Sequence, residues 1–338
     1  MKTNILSKSV LGVCFLSSAL TFNSCTKSDD NTNTPPKGGG TSSTQIYYRR
    51  SANNAAEDEL WVVNASGTND HKINISLPSG WKLDDEDMAE VSKDGKNLAF
   101  LVFAENPRKY GMYTSTTDGT HVQPVLTQGG DGLALQGFID QSSVLFWQAT
   151  PNYDFELYRV NLDGSNKQKI NIALPAGETF GDEELAKITA DGKSIVFLTQ
   201  TASNSAPSIY KCNLDGTGVK LVLNEATDAS IALQDLTSDG VALYRKQTND
   251  TDELWSVKLD GSDKHKINIS LPSGQFLQDE EMAKATSDGN LIFSTTNSDG
   301  SSQAIYKSKL DGTGVTLVKQ IPTGSYIAIQ SVKTITVK

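Results

Sequence analysis

Three acidic runs recur along the chain at a spacing of 97 residues: Asp85, Glu86 and Asp87, then Asp182, Glu183 and Glu184, then Asp279, Glu280 and Glu281. Carboxylates crowded this closely raise the local negative potential and attract cationic groups or hard divalent ions such as calcium. Each run follows an LPSG-type turn carrying Pro78, Pro175 or Pro272 and Gly80, Gly177 or Gly274. An apolar residue, Leu83, Phe180 or Leu277, stands between turn and acids and would anchor the loop. A duplicated, solvated loop gives the same pattern when repeats have diverged recently, so the nine acids are candidate ligand-binding residues and no more.

Other groups with chemical potential are fewer. Aspartates of Asp-Gly pairs, among them Asp94, Asp163, Asp191, Asp215, Asp239, Asp260, Asp288 and Asp311, suggest calcium at first sight. Asp-Gly is also the pair that a tight hairpin turn demands, because the glycine supplies positive φ, and that reading is preferred. Four charged residues, Glu90, Lys187, Asp235 and Lys284, each stand four positions before an Asp-Gly aspartate. Histidines number three: His71 and His265 share one repeat position, His121 occupies another, and residues so far apart in a repeat array do not converge on one metal. Cys212 takes the place held by Ser115 and Ser308 in other copies, which marks a packed small side chain rather than a nucleophile. The chain contains no G-x-S-x-G elbow, no phosphate-cradling loop and no H-E-x-x-H, so no catalytic residue is assigned.

The elements that would position these groups come from a longer repeat. Its E-L-aromatic triplet places leucine at Leu60, Leu157 and Leu254, again 97 residues apart, so most of the chain is one unit read three times. Each unit is a series of short runs rich in Val, Ile, Tyr, Phe and Thr separated by turn residues, with no amphipathic helical window after Gln45. The runs group into two four-stranded meanders per unit. Many successive four-stranded sheets are the signature of a β-propeller, whose radial packing shields strand edges, and three units of two meanders predict six blades.

SKDGKNLAFLVF, TADGKSIVFLTQ, TSDGVALYRK and TSDGNLIFSTT, with the tyrosine or tryptophan strand that follows each, resemble the TolB-type six-bladed propeller repeat from about Gln45 to Lys338. The resemblance implies an all-β propeller and is specific for fold, not for function. Two departures stand out. The proline usual before Asp-Gly is replaced by Lys93, Ala190, Ser238 and Ser287, and the stretch before Gln45 does not read as the separate N-terminal α/β domain of the Tol translocation protein. In such a fold Glu90, Lys187, Asp235 and Lys284 are expected to line the central channel. The acidic runs are expected in loops joining the outer strand of one blade to the inner strand of the next.

Both ends of the chain should close the ring. GSYIAIQSV near the C-terminus matches DGLALQGF and ASIALQDL, the inner strands of the third and fifth blades, with Gln136, Gln234 and Gln330 in register. QIYYRR, from Gln45, matches their second strands, so a C-terminal inner strand is expected to complete the first blade. Thr334 to Lys338 have no counterpart.

The N-terminus reads as an address. Lys2 and Lys8 precede or flank an apolar run, Val10 to Leu20, that is too short for a permanent span, and Cys25 follows the small residue Ser24. Residues 1–24 are therefore expected to be a signal peptide similar to those of Gram-negative lipoproteins, with Cys25 the lipidated N-terminus. Residues 25–44 would be a polar tether reaching about 20 to 25 Å, and 45–338 the propeller. Lys27, Ser28, Asp29 and Asp30 look like the acidic tags that send such lipoproteins to the outer face of the outer membrane.

A formal net charge of −10, from 30 basic and 40 acidic residues, argues against nucleic acid or an anionic membrane surface as partner. Membrane contact is expected through the lipid alone, and the propeller is expected to be a monomer. Two readings of function remain open. One is a non-catalytic envelope lipoprotein that binds a protein or glycan through its long-loop face and needs no cofactor. The other is a calcium-dependent hydrolase of the lactonase-like propeller type, with carboxylates at the channel.

Overall fold

The segment NLAFLVFAE shows how this chain builds its core. In a strand, alternate side chains point to opposite faces, and here both faces are apolar. Leu98, Phe100 and Val102 enter a cluster with Tyr47, Leu60 and Val62 on one side, while Ala99 and Leu101 enter a cluster with Leu135, Val144 and Phe146 on the other. Leu145 and Trp147 alternate with Val144 and Phe146 in the same way, and Ile195 and Phe197 with Val196 and Leu198. A sheet buried on both faces must be sandwiched between two others, and repetition of that requirement makes a ring.

The structure, a computed structural model, describes residues 41–52, 58–84, 89–129, 132–150, 155–181, 186–201, 207–225, 229–248, 251–278 and 282–337. The described residues all belong to one compact unit, Gly40–Lys338. They form six antiparallel sheets and no helix. Six apolar clusters each join consecutive sheets, from the first blade to the second and onward, and the last joins Ile292 and Ile305 of the sixth blade to Ile46, Tyr48 and Ile329 of the first. The protein is a closed six-bladed β-propeller.

Closure uses both termini. In the first blade the strand order is Ser325–Val337, Thr41–Ala52, Glu59–Asn64 and His71–Lys72, so the C-terminal strand is innermost and pairs antiparallel with the N-terminal one. The pairing runs from Thr41 opposite Val337 to Ala52 opposite Ser325. It gives the residues after Thr334 a place, and it brings Thr41 to Thr44, inside the segment whose composition reads as tether, into a strand of the propeller.

The third and fifth blades have one continuous inner strand, Leu133–Phe138 and Ser230–Leu236. The even blades differ from the expected simple meander. In the second, fourth and sixth blades the inner position is shared by two short segments: Lys82–Leu83 and Ala89–Val91, Glu178–Phe180 and Ala186–Ile188, Gln275–Leu277 and Ala283–Ala285. Both segments pair with the same second strand; Leu277 faces Thr295 and Ala283 faces Phe293, with Ser294 alone between them. The acidic runs thus interrupt an inner strand rather than precede it. Asp85, Glu86, Asp87, Asp182, Glu183, Glu184, Asp279, Glu280 and Glu281 themselves lie outside the described residues, as does Cys25.

The expected turn chemistry is present. Asp118 Oδ1 accepts the N–H of Thr120 at 3.0 Å, Asp215 that of Thr217 at 3.0 Å and Asp311 that of Thr313 at 2.9 Å. The following glycines, Gly119, Gly216 and Gly312, have φ of 84°, 86° and 84°. These carboxylates are spent on their own backbone, and hydrogen bonds from the adjacent hydroxyl and backbone N–H hold Asp118 down at about 2.

Candidate functional site

The inner strands are fixed to one another by a repeated glutamine. Gln136, Gln234 and Gln330 each sit at a β-bulge, where one inner-strand residue has no partner on the second strand. All three are buried, and their side chains bridge to the next blade. Oε1 of Gln136 accepts the N–H of Ala186 at 2.7 Å, Oε1 of Gln330 that of Ala89 at 3.0 Å, and Oε1 of Gln234 that of Ala283 at 3.4 Å. The next residue along varies. Ser331 Oγ accepts the N–H of Val91 at 3.3 Å and donates to Glu90 Oε2 at 3.0 Å, whereas Asp235 accepts the N–H of Ala285 at 2.7 Å and that of Leu236 at 2.8 Å. The third blade has Gly137 there, with φ 133°, and contributes no side chain.

Held this way, all six inner strands deliver residues to one axial cavity of about 320 Å³. Of the four channel candidates, Glu90, Lys187 and Asp235 line it together. Lys284 does not; it is buried and engaged by a partner. Sequence reasoning missed Lys93 and Lys333, which also line the cavity, and its apolar wall of Phe138, Ile188, Leu236 and Val332. A signal for Lys93 was present in the sequence. Lys93, Ala190, Ser238 and Ser287, the four residues that replace the usual proline, all border the cavity.

The electrostatics are mixed. Lys93 Nζ donates to the carbonyl of Ala190 at 3.0 Å, reaching from the second blade to the fourth. Burial first, and then the neighbouring Lys333 ammonium, hold the Lys93 ammonium below the ordinary lysine range, against the opposing pull of Asp191 and Asp140. A second recess of about 480 Å³ shares Ala190, Leu236 and Ser238 with the axial cavity and runs between the fourth and fifth blades, bordered by Lys211, Lys258, Asp191, Asp239 and Asp260.

Elsewhere the candidates are apart or engaged. His71 and His265 are exposed on outer strands of the first and fifth blades, and His121 is exposed in a turn with φ 56°. Among the described residues no three His, Cys, Asp or Glu side chains are grouped to hold a metal ion. Cys212 is buried, and burial, helped by the Asp215 charge, pushes its thiol up to about 11, so the protonated, packed form prevails. Leu83, Phe180 and Leu277 pack against the cores of the second, fourth and sixth blades, anchoring the segments before the acidic runs.

No family model matches the sequence, and no curated protein does. Solved structures do. TolB from Acinetobacter baumannii is similar with a TM-score of 0.62 at 14% identity over 86% of this chain; the match spans 66% of that chain, just under two thirds of its length. A protein described as a TolB from Agrobacterium tumefaciens gives 0.56 at 14% identity, covering 88% of this chain and 99% of that one. Oligogalacturonate lyase from Vibrio parahaemolyticus gives 0.53 at 14% identity, covering 74% and 72%. At these identities the likeness is one of fold, and the fold is the six-bladed propeller that TolB proteins share.

Proposed function

We propose that this chain is a non-catalytic lipoprotein of the bacterial cell envelope, carried by the outer membrane, whose propeller binds a protein or glycan partner. The observation that supports it best is the axial cavity, where hydrogen-bonding, charged and apolar side chains from six blades share one recess. Its two carboxylates are held by structural donors: Glu90 by the Ser331 hydroxyl, Asp235 by two backbone N–H groups. Carboxylates engaged in this way hold inner strands together and are poorly placed to activate water or to converge on calcium. The leader with Cys25 at its end supports the envelope address, and the TolB propellers among the similar structures agree with a binding role.

On this reading the acidic runs supply the anionic part of the binding surface, three times around the ring. The test is affinity capture from solubilised envelopes with the native protein and with a variant carrying amides at Asp85, Glu86, Asp182, Glu183, Asp279 and Glu280. The variant is expected to melt as the native protein does, to recover the partner less well and to lose much of the salt dependence of capture. Equal recovery at every salt concentration would remove the acidic runs from the binding surface, and turnover of a lactone or ester by the native protein would overturn the non-catalytic reading.

A further inference from the structure

Three lysines, Lys93, Lys187 and Lys333, line the axial cavity near the hairpins that join inner to second strands. Lys93 spends one donor on the Ala190 carbonyl. The side chains of Lys187 and Lys333 have neither a hydrogen bond nor an ion pair among the described residues. Nearby carboxylates are already occupied by other donors: Glu90 and Asp235 as above, Asp140 by the N–H of Ser142 at 2.7 Å, Asp191 by the hydroxyl of Thr189 at 2.7 Å. Ammonium groups gathered in a recess with no anion among the described residues in hydrogen-bond reach are under-compensated; burial first, and the Lys333 charge second, hold the Lys93 ammonium below the ordinary lysine range there. An oxyanion with several acceptor oxygens can bridge such groups, each contact being charge-assisted.

The geometry points to an oxyanion-binding site at this mouth of the cavity, in which Lys187 and Lys333, with Lys93 at the rim, take the phosphate or carboxylate group of a small ligand. The apolar wall of Phe138, Ile188 and Leu236 leaves room beside the anion for the carbon skeleton that carries it. Glu90 opposes the anion and limits its affinity. The site deepens the binding role proposed above, since both rest on the axial cavity, but it draws on none of the acidic runs, so loss of anion binding and loss of acid-dependent partner capture are separate outcomes.

The experiment is calorimetric titration of the full-length protein at low ionic strength, with inorganic phosphate in one arm and citrate in the other. At least one probe is expected to bind saturably, and the probe that does so distinguishes a phosphate-bearing ligand from a carboxylate-bearing one. Lys187→Gln with Lys333→Gln is expected to weaken that binding by about tenfold or more, and Glu90→Gln to strengthen it. Because neither lysine side chain is hydrogen-bonded or ion-paired among the described residues, the melting temperature should hold; if the glutamine pair lowers it, Lys187→Met with Lys333→Met keeps the apolar stems and replaces it in the titration. Binding of neither probe by the native protein, or equal binding by native and lysine-substituted protein, overturns the site.

Discussion

Burying an amide side chain costs free energy unless its polar atoms are satisfied, so a glutamine repeated at three bulges needs a reason. Here the reason is the backbone of the next blade, where the N–H that opens the second inner segment would otherwise be buried without an acceptor. Gln136→Leu keeps the bulk and removes the acceptor, leaving the Ala186 N–H orphaned. The expected loss is about 1–3 kcal/mol of stability by urea denaturation, with the urea slope unchanged. A loss below about 0.5 kcal/mol would show that the bridge contributes nothing beyond packing. The repeat register exposed these glutamines in the sequence, but not their task, because a one-residue bulge common to all aligned copies leaves no gap to see. Lys93 showed only as a departure from the usual turn proline; it stands in a turn, where charged residues are ordinary, and only the ring brings it beside Lys333.

At the scale of elements, long apolar runs such as NLAFLVF and SIVFLTQ were legible as strands because both of their faces are buried. The split inner strands were not. Segments of two or three residues carry no period, and polar runs beside them read as loop; what makes them strands is the second strand, eight or nine residues long, which offers backbone partners on both sides of the acidic interruption. Ring closure was legible because GSYIAIQSV repeats the inner strands of other blades. Its consequence is a test at the same scale. Deleting Tyr326–Lys338 removes the acceptor for Ala89, leaves Thr41–Ala52 as an unpaired inner edge and uncovers Ile46 and Tyr48. The truncated protein is expected to lose cooperative unfolding or to melt at least about 10 °C lower, as loss of several kcal/mol implies. A melting curve that superimposes on that of the full-length protein would mean that the ring does not depend on its last strand.

The whole molecule sets how the propeller can meet a membrane. A chain of formal net charge −10 is repelled by anionic headgroups. Large apolar side chains are exposed among the described residues at Leu221, Phe276 and Leu317, at 54%, 55% and 54%. Leu221 and Leu317 lie on the outer strands of the fourth and sixth blades and Phe276 on an inner segment of the sixth, so they form no continuous patch that could insert. The envelope reading proposed above therefore places the whole burden of attachment on Cys25. A single acyl chain gives marginal, reversible membrane binding, and stable anchoring needs more than one. Expressed with its leader, the native protein is expected in the membrane fraction at both low and high salt, while Cys25→Ala should appear in the soluble fraction at both. Salt separates the possibilities, because a charge-mediated association weakens as screening rises whereas a lipid anchor does not. Retention of Cys25→Ala in membranes at low salt only would point to a basic partner on the membrane surface. Retention at high salt as well would overturn the lipid anchor and require an apolar contact made by the propeller itself.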